Sequence, residues 1–219
     1  MKPMTDNIRK TLDFVRESFD SCPYFTENPA DGQYRFEHTL RVAHIGAEIA
    51  RKEALDEEAM VIACLLHDIA YSREIPEGGW NEHGRVGARI ARPFLESLSL
   101  SPETIKEILY GIAIHVDDSA DFEGERTSLA LSVADADNID RFGAFRIYDA
   151  MRYARFYEKS LEQKLEWTRS RIPALERLRP IFFATDTAKA MWLQSIDYQI
   201  NYFSRLLRQL EESGIPEEF

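Results

Sequence analysis

The sequence predicts an all-α fold. Apolar residues recur at three- and four-residue steps through nearly every segment, which is the period of one helix face. No segment alternates apolar and polar residues as a half-buried strand would. Where the helical period lapses, Pro, Gly, Asn and Asp take over, so the breaks coincide with turn chemistry.

Ile8, Leu12, Val15 and Phe19 define a first helix over about residues 6–19. Residues 21–32 turn to Pro, Asn, Asp and Gly and read as a loop. A second helix over about 34–52 carries Phe36, Leu40, Ala43, Ala47 and Ala50 on one face. Asp56 is a suitable N-cap for a third helix, the apolar run Met60 to Leu66 that ends in His67-Asp68. "SREIPEGGWN" is a Gly/Pro surface loop, and a fourth helix follows over about 82–97. Ser101-Pro102 pairs an N-cap with a proline at the first helical position and opens a fifth helix to about His115. "DDSADFEGE" is another loop, and 128–140 forms a sixth helix. Three more helices are expected over about 144–157, 160–178 and 186–212, punctuated by Pro173 and Pro180.

The 219 residues suit one large domain, and 44% apolar with 30% charged residues is ordinary for a chain that builds a core. The formal charge of −11 argues against a nucleic-acid partner, which needs a basic face. An anionic substrate then requires a local positive centre, most compactly a metal ion. The N-terminus becomes polar and periodic at once, with no signal peptide, and no apolar stretch approaches the ~20 residues of a membrane span. Cys22 and Cys64 have neither pairing nor zinc-knuckle spacing; two reduced thiols fit a cytoplasmic protein with no membrane partner.

An imidazole and a carboxylate at the end of an apolar run are costly without a partner or a cation. The five histidines, His38, His44, His67, His83 and His115, all precede residue 116, and four of them lie near expected helix ends. Side chains from several helix ends can converge on one point. With Asp135 and Asp137 of "LSVADADNID", they make a donor set that suits a divalent ion such as Mn, Fe, Ni, Co, Zn or Mg. His44 lies six residues after His38, ~240° around a helix, and reads as structural.

The motifs "HTLRV", "LLHDIA", "HGRVGARIA", "IAIH" and "ADNID" occur in that order over about residues 34–143. Together they resemble the HD superfamily of metal-dependent phosphohydrolases. The resemblance implies an HD-domain helical core at 34–143, preceded by a helix and loop at 1–33 and followed by helices at 144–219 packed on the same domain. It also implies metal ligands at His38, His67, Asp68 and Asp137, with Asp135 as the rival for the last. His67 and Asp68 would be the catalytic pair. His83 and His115 match positions that hold a second metal in binuclear members, with Asp68 bridging, or that touch substrate. A histidine ending a helix is also favoured by the dipole alone, which suffices to explain His115.

The expected activity is hydrolysis of a phosphate ester or anhydride, in a small phosphorylated substrate such as a nucleotide, by metal-activated water. Two alternatives remain open: a di-iron oxygenase of the HD type using the same six donors, and a metal- or ligand-binding module without turnover. Arg41, Arg85 and Arg141 are candidates for gripping phosphate, with Arg89 and Arg146 behind them, since a planar fork suits that anion. For Arg41 an ion pair with Glu37 or Glu48 competes. Glu82 and Asp140 are candidates for orienting water, or plain surface charge. Tyr148, Tyr153, Phe156 and Tyr157 form either a wall for a nucleobase or packing between helices. The face Trp192, Ile196, Ile200, Phe203 and Leu207 closes the domain or, secondarily, forms a homodimer seam.

Overall fold

The computed structural model describes residues 4–73 and 80–214. Its helices are α1 (Asp6–Asp20), α2 (Pro23–Glu27), α3 (Pro29–Lys52), α4 (Glu57–Leu66), α5 (His83–Leu95), α6 (Pro102–Ile114), α7 (Ser128–Arg141), α8 (Ala144–Tyr153), α9 (Leu161–Glu176) and α10 (Asp186–Glu211). Short 3-10 turns lie at Ile69–Ser72, Trp80–Glu82 and Phe156–Glu158. Among the described residues there is no strand, so the fold is all-α as the periodicity requires. Most of the expected loop "SREIPEGGWN" lies outside the described residues. No helix among them is long and apolar enough to cross a membrane.

The caps are those written in the sequence. Asp56 accepts from the Ala59 N–H, Ser101 from that of Thr104 with Pro102 following, and Ser160 with Gln163 forms a capping box on α9. Two segments differ from expectation. The loop expected at 21–32 is α2 plus the first turn of α3, because Pro23 and Pro29 each sit where a helix begins and its first N–H is unpaired anyway. Gly32 then serves close approach: a Cβ there would come within 3.0 Å of the Phe25 Cβ. The helix expected at 144–157 stops at Tyr153, and Arg155 turns the chain with a left-handed φ of 48°.

The chain divides into two compact units. The first comprises residues up to Asp140 together with Phe183–Ala188. Its centre is α4, where Ala59, Met60, Ile62, Ala63, Cys64, Leu65 and Leu66 are all buried. Helices α1, α3 and α6 pack against α4, and α5 packs against α6. An all-round apolar helix of this kind is stable only when wrapped on every side. The Phe183–Ala188 segment is tied in by two hydrogen bonds, Ala184 N–H to Asp135 Oδ2 at 2.9 Å and Thr187 N–H to Glu53 Oε1 at 2.8 Å.

Burial raises the Asp135 carboxyl to about 6, only partly offset by the Ala184 N–H. The folded value exceeds the unfolded one, so this group's contribution is fully present below pH ~4 and is lost as pH rises through about 6. Asp135→Asn keeps an acceptor for Ala184 and is expected to stabilise the protein at pH 7 by on the order of 2 kcal/mol, with no gain near pH 4. Thermal midpoints of both proteins at pH 4, 5.5 and 7 check this; an equal shift at every pH would refute it.

The second unit comprises Arg141–Phe182 and the chain from Lys189 onward. Its core joins Phe156 to Trp167 (ring centroids 5.1 Å apart), Trp167 to Phe203 (5.7 Å) and Phe142 to Trp192 (4.8 Å). Trp192 Nε1 donates to the Leu178 carbonyl at 3.0 Å and Gln199 Nε2 to that of Phe142 at 2.5 Å. Trp192, Ile196 and Phe203 are thereby buried within the chain itself.

Candidate metal centre

Four helix ends and the middle of one helix meet in the first unit. His38 lies on the tenth residue of α3, further inside that helix than the sequence suggests because α3 starts at Pro29. His67 is the C-cap of α4 and Asp68 leads into the 3-10 turn. His83 opens α5, His115 is the C-cap of α6, and Asp137 lies near the end of α7.

Two groups of potential ligand atoms result, each within 4.8 Å: His38, His67 and Asp68, then Asp68, His83 and His115. Asp68 belongs to both. Its Oδ2 lies 3.6 Å from His38 Nε2 and 3.3 Å from His67 Nε2. Its Oδ1 lies 3.3 Å from His83 Nε2 and 3.8 Å from His115 Nε2. Asp137 Oδ1 flanks the first group, 3.1 Å from His38 Nε2 and 3.9 Å from His67 Nε2. Asp135 is two residues away on the same helix, and its carboxylate is engaged by Ala184 instead.

The tautomers follow from the partners. His67 Nδ1 faces the Cys64 carbonyl and His115 Nδ1 the Ile112 carbonyl, both at 2.7 Å. A carbonyl can only accept, so each Nδ1 donates and a neutral ring turns its Nε2 lone pair toward Asp68. His67 Nε2 is completely buried without a hydrogen-bond partner. His83 Nε2 and His115 Nε2 stand 3.1 Å apart. Lone pairs aimed at a carboxylate, as those of His67 and His115 are, are costly in a core unless a cation lies among them. The donor set therefore fits a divalent metal on this structure's own geometry.

Burial pushes the Asp68 carboxyl up, but His67, His115 and His83 around it hold it well below the usual range. Burial likewise works against an ionised Asp137, and His38 and His67 outweigh it. For His38 burial opposes the charged ring, yet hydrogen bonds to Asp137 and Asp140 raise it to about 9.

Asp140 is not plain surface charge. Its Oδ2 accepts from His38 Nδ1 at 2.7 Å, and its Oδ1 accepts from Arg41 Nε at 2.7 Å. Arg41 is thus paired across 99 residues of sequence rather than with Glu37 or Glu48, and holds the carboxylate that orients His38. Such outer partners fix the ligand tautomer and raise its basicity. Asp140→Asn is expected to weaken divalent-metal binding about 10–100-fold, read by titrating the metal-stripped protein, while the fold persists. Unchanged affinity would refute this role.

Arg85 is committed to Glu82 and Asp117, with Nη1 to Asp117 Oδ1 at 2.9 Å and Nη2 to Glu82 Oε1 at 2.8 Å. Arg89 pairs with Asp121, while Arg141 is the exposed last residue of α7 and Arg146 is exposed on α8. His44 is exposed and does not join the site. Among the described residues, the arginine that reaches Asp68 is Arg35, which sequence reasoning missed. Its Nη1 contacts Asp68 Oδ2 at 2.5 Å, and its guanidinium stacks 3.8 Å over the Tyr71 ring. Position three before His38, nearly one helical turn, was the available signal.

The fold and its His/Asp groups define a helical domain able to hold a metal. Residues 35–141 match the HD domain family, and the chain belongs to it. It is 34% identical over 164 residues to Ribonuclease Y from two strains of Thermus thermophilus. That alignment covers 73% of this chain but only 23% of those proteins. A crystal structure described as a predicted HD superfamily hydrolase from an uncultured Thermotogales bacterium superposes with a TM-score of 0.66. The two are 25% identical, covering 92% of this chain and 91% of that one.

Proposed function

We propose that this centre hydrolyses a phosphate ester or anhydride bond in a nucleotide. The observation that carries the reading is Asp68, which offers one oxygen to each of two imidazole groups. His38, His67, Asp68 and Asp137 would hold one divalent ion, and Asp68, His83 and His115 a second. The chemistry such an ion would supply is Lewis-acid activation of water and of a phosphoryl group.

The chain's own residues do the rest. Asp140 and the Cys64 and Ile112 carbonyls hold three rings in the tautomer that presents Nε2. Arg35 is the group placed to grip a phosphate oxygen beside Asp68. Its side chain is 22% exposed, so it is reached from solvent while Tyr71 fixes its plane.

The similarity to Ribonuclease Y favours a second reading within the same chemistry, in which the bond is a phosphodiester of RNA. The test combines elemental analysis of protein purified without chelator with hydrolysis assays on nucleoside mono- and triphosphates, bis-p-nitrophenyl phosphate and a short RNA. One or two divalent ions per chain with turnover of any of these supports the hydrolase. Two irons without phosphate release would favour the HD-type oxygenase. Bound metal with no turnover of any substrate would favour the binding module.

A further inference from the structure

The net charge of −11 conceals a sharp asymmetry. Residues 141–182 carry ten Lys and Arg against five Asp and Glu, while the remainder of the chain carries 17 against 33. Whole-chain charge therefore says nothing about the second unit, whose longest continuous segment is basic. Charge asymmetry of this kind is a footprint of an anionic polymer partner.

The exposed aromatic side chains gather in the same segment. Phe145 is 42% exposed, Tyr148 60%, Tyr153 78% and Tyr157 94%. Phe145, Tyr148 and Arg152 succeed one another at steps of three and four, so they share one face of α8. The Phe145 and Tyr148 rings lie 5.6 Å apart. Asp149, the one acid of α8, is buried and offers that face no negative charge. Arg146 and Arg152 are exposed and make no ion pair among the described residues. Beyond α8, the left-handed turn at Arg155 and the burial of Phe156 against Trp167 leave Tyr157 standing outward.

We propose that residues 145–157 form a binding platform for single-stranded RNA, with bases stacking on Phe145, Tyr148, Tyr153 and Tyr157 and phosphates meeting Arg146 and Arg152. The choice of RNA rests on the second reading above; the platform itself rests on charge and exposure. Aromatic faces take any base, and unpaired arginines take the backbone, which together give strand binding without sequence readout. A second copy of this chain fits poorly, because a two-fold contact would oppose like charges. Of Tyr148, Tyr153, Phe156 and Tyr157, Phe156 packs against Trp167 and the three tyrosines are exposed.

The test is fluorescence anisotropy with a 5′-labelled oligouridylate of about 12 nucleotides, using the full chain as purified and verifying intact RNA by gel. Binding is expected, weakening steeply between about 50 and 200 mM salt, and at least about tenfold tighter than to a duplex of equal length. Tyr148→Ala with Arg152→Ala is expected to weaken binding at least about tenfold, leaving the thermal midpoint and bis-p-nitrophenyl phosphate hydrolysis unchanged. Arg146→Gln with Arg152→Gln should flatten the log–log salt slope by about 1.4.

No binding at low salt, variants that bind as the parent does, or a preference for single-stranded DNA would overturn the proposal. So would concentration-dependent dimerisation abolished by the Tyr148 variant. Binding lost in the variants without hydrolysis of any substrate would sink the hydrolytic reading alone. Hydrolysis with binding untouched would sink the platform alone.

Discussion

Asp68→Asn is expected to empty both ligand groups at once. Each group spends one Asp68 oxygen, and an amide supplies a single neutral oxygen in place of two anionic ones. Protein purified without chelator should lose most of its metal, and hydrolysis should fall at least about 10³-fold, since metal assistance supplies several kcal/mol of barrier lowering. The asparagine keeps the shape of the side chain and an acceptor for Arg35, so the fold should survive. Circular dichroism separates that outcome from unfolding. Full metal content in the variant would refute the shared carboxylate, whatever happens to activity.

The second large effect is expected at a residue that touches no substrate. A Cβ on Gly84 would lie 2.5 Å from the Ala113 carbonyl oxygen and 3.0 Å from that of Ile112. Both are backbone atoms of α6, which cannot swing aside as a side chain can. Gly84→Ala must therefore push α5 away from α6, at a cost of about 1–3 kcal/mol. For a chain of this size that lowers the thermal midpoint by roughly 2–10 °C. His83 precedes Gly84, so the same displacement parts it from His115, and the second ligand group should fail while His38, His67 and Asp137 stay in place. Metal stoichiometry should fall by the ion of that group. An unchanged midpoint with full metal would show that α5 tolerates the methyl.

The helices were legible because their cores are periodic and their caps are local. Asp56, Ser101 with Pro102, and Ser160 with Gln163 all act within four residues, where sequence spacing is spatial spacing. The errors were local too: prolines at 23 and 29 were read as breakers although both start helices, and Gly32 was read as a turn although it lets α3 approach Phe25. The donor set was also readable, because the histidines and aspartates of a motif keep their order. Their partners were not. Arg41 finds Asp140 across 99 residues and Arg35 finds Asp68 across 33, and nothing in local spacing encodes such pairs. The charge of −11 is silent for a related reason: a sum over the chain has no place in it for where the charges sit.

The sharing of Asp68 has a consequence for loading. Two sites with separate ligands fill independently, each with its own affinity. Here one side chain has a single orientation and a single charge to divide. An ion held by His38, His67 and Asp68 would fix the carboxylate for one held with His83 and His115, and would also draw electron density away from it. Two such occupancies would therefore be linked, and linkage is reciprocal: whatever the first ion did to the affinity of the second, the second would do equally to the first. Two ions there would load as one binding unit in two steps, and a half-loaded form would be set by that coupling rather than by either group of imidazoles alone.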